Sequence, residues 1–164
     1  MNNIVIEIIN KLKEYIKLYG EKKTCEDFEA KIIKCNNNLL SSWFAENVKG
    51  ANIAAHAKIV LDSKNVVDNY WFALLVDQAD VRAHGKVVID SGDVYYNYVF
   101  AHDIDGADIE AHRRVILDSG DKHYNYLITK YIEGLNSETK EETIDDCDTQ
   151  VYNYVFPRNT KVLK

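Results

Sequence analysis

The stretch ADVRAHGKVVIDSGDVYYNYVFAHDIDG, residues 79–106, is followed without a gap by ADIEAHRRVILDSGDKHYNYLITKYIEG, residues 107–134. A third copy, ANIAAHAKIVLDSKNVVDNYWFALLVDQ, precedes both at residues 51–78. Each copy begins 28 residues after the one before it, and the same residue types return at the same places. Self-similarity at a fixed period of this length indicates structural repeats that stack on one another.

Each unit carries the signals of two short helices. In the second copy Asp80 and Asp93 each precede an apolar segment and can cap its free N–H groups. Ser91-Gly92 separates the segments, with glycine placed for a left-handed C-terminal turn, and Gly106 ends the unit. Two helices of about ten residues therefore fit the unit. A strand in the β-branched run VVID is the alternative, which the caps on both sides disfavour.

The predicted fold is all-α: a short α-α repeat solenoid with an N-terminal capping helix and a degenerate C-terminal repeat, all in one domain. The capping helix is predicted from an apolar period of 3.6 residues that begins at Ile4. The divergent repeat is predicted from Trp43-Phe44-Ala45, which matches the end of the unit if one residue is skipped. The segment VYNYVF keeps the phase of a fourth copy. The predicted boundaries are capping helix 1–23, divergent repeat 24–50, core repeats 51–78, 79–106 and 107–134, and degenerate acidic repeat 135–164.

Composition and charge narrow the classes of function. The net charge of −6 disfavours direct binding of nucleic acid, because attraction to phosphates normally needs a basic surface. Seven acidic residues against one lysine lie within residues 133–148. No apolar stretch approaches the ~20 residues of a membrane span. Three cysteines without CxxC spacing, and no export signal, predict reduced thiols in a cytoplasmic protein.

Two polar residue types recur inside the apolar arcs of the helices. The histidine of successive units is predicted to lie about 8–10 Å from the next, too far apart for several of them to bind one zinc ion. The repeated asparagine also faces inward, where its amide must be hydrogen-bonded. Both series are therefore interpreted as structural links between repeats; they are His56, His84 and His112, and Asn69, Asn97, Asn125 and Asn153.

The opposite side of the second helix is the candidate binding surface. On an amphipathic helix this side is charged, whereas here it is largely aromatic and aliphatic. Exposed aromatic residues are typical of protein interfaces. The alternative is that another helix layer or the N-terminal helix covers them. The protein-binding residues predicted on this side are Tyr70, Trp71, Tyr95, Tyr98, His102, Tyr126 and Lys130.

An enzyme is not indicated. The chain has no GxSxG, no HExxH and no phosphate-binding glycine loop. An active site is usually singular, whereas each chemically attractive group here occurs three or four times. The sequence therefore predicts no catalytic residue, no metal site and no cofactor.

The core units resemble a repeat found in tandem in uncharacterised bacterial and phage-encoded proteins. The resemblance rests on the Ala-Asp-Ile opening, the Ser-Gly-Asp turn and the Tyr-x-Tyr-x-Phe-Ala helix, and it covers roughly residues 51–134. It implies a helical-repeat fold and no particular chemistry. The fourth copy departs from the pattern.

Two hypotheses of function follow. The first is a protein-binding inhibitor or adaptor, of the kind that phages and mobile elements direct against host defence or that serves as a toxin-immunity protein. Its partner is another protein with a basic or nucleic-acid-binding surface, attracted by electrostatic complementarity. The acidic residues predicted to contribute are Glu138, Glu141, Glu142, Asp145, Asp146 and Asp148. The alternative is a structural, self-assembling repeat module, in which the exposed tyrosines form a homo-oligomer contact.

Overall fold

The structure, a computed structural model, describes residues 3–135. Within this part of the chain all regular structure is helical, and the all-α prediction is confirmed. The helices are α1 Asn3–Tyr19, α2 Glu21–Cys35, α3 Asn38–Asn47, α4 Ile53–Ser63, α5 Val66–Leu75, α6 Val81–Ser91, α7 Val94–Asp103, α8 Ile109–Ser119 and α9 Lys122–Leu135. The predicted degenerate repeat lies, apart from Leu135, outside the described residues.

Within residues 3–135, the helices after α1 form four successive pairs, α2–α3, α4–α5, α6–α7 and α8–α9. The most extensive helix contacts join the second helix of one pair to the first helix of the next: α3 to α4, α5 to α6 and α7 to α8. We call each of these junctions a seam. Neighbouring pairs are therefore packed against each other in the order in which they occur along the chain.

The first pair is in register with the others. Asn37 caps α3 as Asn65, 28 residues later, caps α5. The match continues backwards to Ile32 and Val60, both buried, so no residue needs to be skipped. Helix α2 is longer than its counterparts and begins at Glu21, so the predicted boundary after residue 23 falls within it.

Local hydrogen bonds explain where the helices begin and end. Asp80 Oδ1 accepts a hydrogen bond from Ala83 N at 3.0 Å, and Asp93 Oδ1 accepts one from Tyr96 N at 2.9 Å. Gly92 adopts the left-handed conformation, φ 69°, that ends α6. The glycines that close the second and third core units, Gly106 and Gly134, were expected to end their second helices, but α7 stops earlier, at Asp103, and α9 continues to Leu135.

The core repeats with the sequence. Each second helix buries one large residue completely at the same position: Phe44, Phe72, Phe100 and Ile128. Helix α1 buries Val5, Ile9 and Leu12 in one cluster with Trp43 and Phe44. Helix α1 shields this apolar surface of the first pair from water, and it thus caps the N-terminal end of the stack. None of the helices described combines the length and the hydrophobicity that a bilayer crossing requires.

Candidate functional site

The repeated histidine and asparagine bind each other across the seams. His84 Nδ1 lies 2.7 Å from Asn69 Oδ1, and His112 Nδ1 lies 2.8 Å from Asn97 Oδ1. The same asparagine side chain donates to two backbone carbonyls of its own pair; Asn97 Nδ2 lies 3.0 Å from Val88 O and 2.7 Å from Asp93 O. The predicted structural role of both series is confirmed at these two seams.

This geometry assigns the protonation state of the imidazoles. The amide oxygen can only accept, so Nδ1 carries the proton in both histidines. Their Nε2 atoms are buried without a partner, and each ring is stacked on a phenylalanine, Phe72 or Phe100. Burial lowers the pKa of His84 and of His112 to about 4, since the ring is shielded from solvent and Nε2, which would take up the second proton, has no acceptor. Among the described residues no cluster of His, Cys, Asp and Glu has metal-binding geometry.

The first seam departs from this pattern. Ser41 occupies the asparagine position, 28 residues before Asn69, and both Ser41 Oγ and His56 Nδ1 are buried without a hydrogen-bond partner. On the other side of the ring, His56 Nε2 lies 3.6 Å from Glu29 Oε1, too far for a hydrogen bond. The pKa of His56 is lowered by burial, against the opposing effect of Glu29.

Two of the predicted binding residues are buried and so are not the accessible residues that a partner would need; for them the alternative holds, in which another helix layer covers the aromatic side. Tyr70 is 7% exposed and Tyr98 is 3% exposed. Each lies under the following pair: Tyr70 contacts the rings of Tyr96 and Phe100, and Tyr98 contacts Tyr124. The helical phase places these residues away from their own first helix, but they then face the next unit of the stack.

Tyr70 takes part in a polar network on α7. Its hydroxyl donates to Asp103 Oδ2 at 2.6 Å, while Asp103 Oδ1 lies 2.6 Å from His102 Nδ1. The rings of Tyr98 and Tyr131 flank His102, with centroids at 5.7 and 4.7 Å. Burial is the main cause that raises the pKa of Tyr70, and the nearby carboxylate of Asp103 adds to it. The network orients His102, a predicted binding residue that stays half-buried at the surface.

The residues that remain accessible form an outer row on the second helices. They occupy positions i, i+4 and i+7 of each helix, which lie on one helical face. On α5 and α7 all of them are half-buried. The outer row comprises Val67, Trp71 and Leu74 on α5; Tyr95, Val99 and His102 on α7; and His123, Leu127 and Lys130 on α9.

In the first pair, helix α1 of this chain covers the central residue of the outer row. Trp43 lies 28 residues before Trp71, yet it is only 1% exposed, because it packs in one cluster with Val5, Ile9 and Leu12 of α1. Trp71 contacts the edge of that cluster and is half-buried. The N-terminal helix therefore covers Trp43 of the first pair, and this coverage ends at Trp71.

Some of the predicted site residues are accessible on the described helices, and others lie outside the described residues. Trp71, Tyr95, His102 and Lys130 belong to the outer row, and Tyr126 is 61% exposed on α9. Lys130 Nζ lies 6.0 Å from the centre of the Tyr126 ring. The six acidic residues predicted to bind a partner, Glu138 to Asp148, lie outside the described residues.

Sequence reasoning missed Val67 and Asp103. Val67 could have been found from its spacing to Trp71 on the same helical face. Asp103 carries no such signal, since its partner Tyr70 is 33 residues away.

A cleft of about 470 Å³ lies between α1 and the end of α3. It is lined by lysine, glutamate and asparagine side chains together with Ile16 and Trp43. The lining includes the exposed ion pair of Lys17 and Glu14, whose Nζ and Oε1 atoms lie 2.6 Å apart. Comparison with family models, curated proteins and solved structures produced no match to this chain.

Proposed function

We propose that this chain is a protein-binding inhibitor or adaptor that engages its partner through the outer row. The observation that carries the proposal is the half-exposed apolar surface of Trp71, Leu74, Tyr95 and Val99 on the second helices of two successive pairs, α5 and α7. A surface row of this composition, with aromatic anchors and few charges, matches the centre of a protein interface.

The partner element that fits best is an amphipathic helix. Helix α1 supports this, because its apolar face already covers Trp43, the outer-row position of the first pair. A partner helix with the same apolar spacing would continue that layer over α5 and α7. His102, held by Asp103, offers a polar contact at the edge of the row.

Charge supports a basic partner. The chain carries a net charge of −6, and Asp68 and Asp103 lie on the second helices close to the outer row. A nucleic-acid-handling protein presents the basic surface that such a chain attracts. Within this proposal the chain is an anti-defence inhibitor of a phage or mobile element, or a toxin-immunity protein. Neutralising the six acidic residues between Glu138 and Asp148 is then expected to slow association and to flatten its salt dependence.

The experiment compares surface variants of the full chain. Affinity-tagged wild-type protein captures partners from an extract of the source cells, and the captured protein is identified and purified for binding measurements. Trp71→Ser combined with Val99→Ser is expected to weaken binding at least tenfold. The matched control, Lys58→Ser with Lys86→Ser, alters exposed side chains of the first helices and is expected to bind like wild type.

Circular dichroism establishes that both double variants are folded. Equal binding by the surface variant and the wild type would refute the use of the outer row. Sedimentation of the pure wild type tests the self-assembly alternative. A homo-oligomer that dissociates in the Trp71→Ser variant would favour self-assembly over an inhibitor.

A further inference from the structure

The C-terminal end of the described stack presents a surface that its inner units keep covered. Tyr126 is 61% exposed, whereas Tyr98 and Tyr70, at the same position of the two preceding units, are 3% and 7% exposed. Thr129 is exposed as well, although its counterpart Ala101 is buried. Helix α9 thus carries the face that the second helix of each earlier pair packs against the next pair. No described helix lies against this face of α9. We call this surface the end face.

A polar group on the end face shows what its occupant must supply. Asn125 Oδ1 is buried and has no hydrogen-bond partner, while Asn69 and Asn97 accept from a histidine at the same point. A buried acceptor without a donor is costly. The occupant must therefore bring a hydrogen-bond donor to this oxygen.

The chain itself continues in the register that the seams require. At both inner seams the donor lies 15 residues after the asparagine. Counting 15 residues from Asn125 leads to Lys140, whose side chain has donors only. Asn136 stands at the position of the N-cap Asp108, and Ile144 at that of the buried Ile116.

We propose that residues 136–156 of this chain bind the end face, with Lys140 donating to Asn125 Oδ1 in place of histidine. Arg113, on the neighbouring helix α8, is half-buried beside the same seam, at the position of Gly85. The acidic neighbours Glu141 and Glu142 supply carboxylates that offset the two cations. The proposal concerns a contact within the chain and does not rest on the proposed function, although both use Glu141 and Glu142.

The first test labels wild-type full chain with tetranitromethane, which nitrates accessible tyrosines, and maps the products by mass spectrometry. Tyr19, 60% exposed on α1, is the internal control. Tyr126 is expected to react at least tenfold more slowly than Tyr19. Equal reactivity of the two would overturn the proposal.

The second test uses Lys140→His, which returns the residue of the inner seams, and follows the new imidazole by NMR titration. Its pKa is expected to fall well below the ordinary histidine value, as for His112. The shift is expected to shrink in an Asn125→Ala background. Lys161→His, outside the register, is the matched control. An ordinary pKa for the histidine introduced at position 140 would refute the contact.

Both measurements are repeated on diluted protein. Protection of Tyr126 that is independent of concentration supports binding within one chain. Protection that disappears on dilution, together with a dimer in sedimentation, would identify a second copy as the occupant and overturn the proposal.

Discussion

His112 Nδ1 lies 2.8 Å from Asn97 Oδ1, and 28 residues earlier His84 makes the same contact with Asn69 at 2.7 Å. Each asparagine also donates to two carbonyls of its own helix pair, so a single side chain ties the two helices of a pair to the next one. Because these groups are buried, each is satisfied only when neighbouring units are in register. The contact therefore specifies how the units stack.

The first seam should become more stable when it gains the hydrogen bond between histidine and asparagine that the other two seams contain. Ser41→Asn is expected to raise the free energy of unfolding by about 1 kcal/mol, because the new amide oxygen can accept from His56 Nδ1 and its nitrogen can donate to Ile32 O and Asn37 O. Urea denaturation measures the change. Ser41→Ala, which adds no polar group, is the control. A lower stability for the asparagine variant than for the alanine variant would contradict the expectation.

Acid should weaken the fold through the buried histidines. The pKa of His84 and of His112 is lowered to about 4 from 6.5, so between these values the unfolded chain binds protons that the folded chain excludes. The free energy of unfolding is thus expected to fall as the pH drops below 6.5, by about 1.4 kcal/mol per pH unit for each group. Denaturation at several pH values gives the slope, which His112→Gln should reduce. A slope unchanged by this substitution would count against the assignment.

Removing the hydroxyl of Tyr70 should weaken the contact between α5 and α7. Its hydrogen bond to Asp103 Oδ2, at 2.6 Å, is partly buried and involves a carboxylate. Tyr70→Phe is expected to lower the free energy of unfolding by about 1–2 kcal/mol. Tyr19→Phe, on an exposed ring, should have no measurable effect in the same thermal scan. Equal effects of the two substitutions would show that the hydrogen bond contributes little.

A methyl group at Gly85 on α6 should be accepted beside the third seam, which joins α7 to α8. A Cβ there would lie 3.1 Å from Phe100 Cε1 and 3.4 Å from His112 Nε2, which is a close fit. The preceding unit nevertheless holds Ala57 at this position, in one cluster with Phe72. Gly85→Ala is therefore expected to stabilise the protein by up to about 1 kcal/mol, the cost of glycine within a helix. The larger Gly85→Val should lower the melting temperature. A lower melting temperature for Gly85→Ala as well would mean that Phe100 cannot move.

The fold could be predicted largely from the repeat, and the site only in part. The caps at Asp80 and Asp93 and the turn at Gly92 act within a few residues, so their effect is visible in the sequence. The exposure of Tyr98 depends on residues of the next unit, and helical phase alone assigned it to the wrong surface.

The sequence by itself determined the helical class, the register of the units and the inward position of the His and Asn series, because a period of 28 residues repeats the same local signals. Only the tertiary structure decided that Asn97 binds His112 of the following pair, that Tyr70 reaches Asp103, and that α1 covers Trp43 but leaves the outer row beyond Trp71 half-exposed. The physical reason is that these properties arise between units: hydrogen-bond pairing and burial depend on which side chain the neighbouring helix brings into contact.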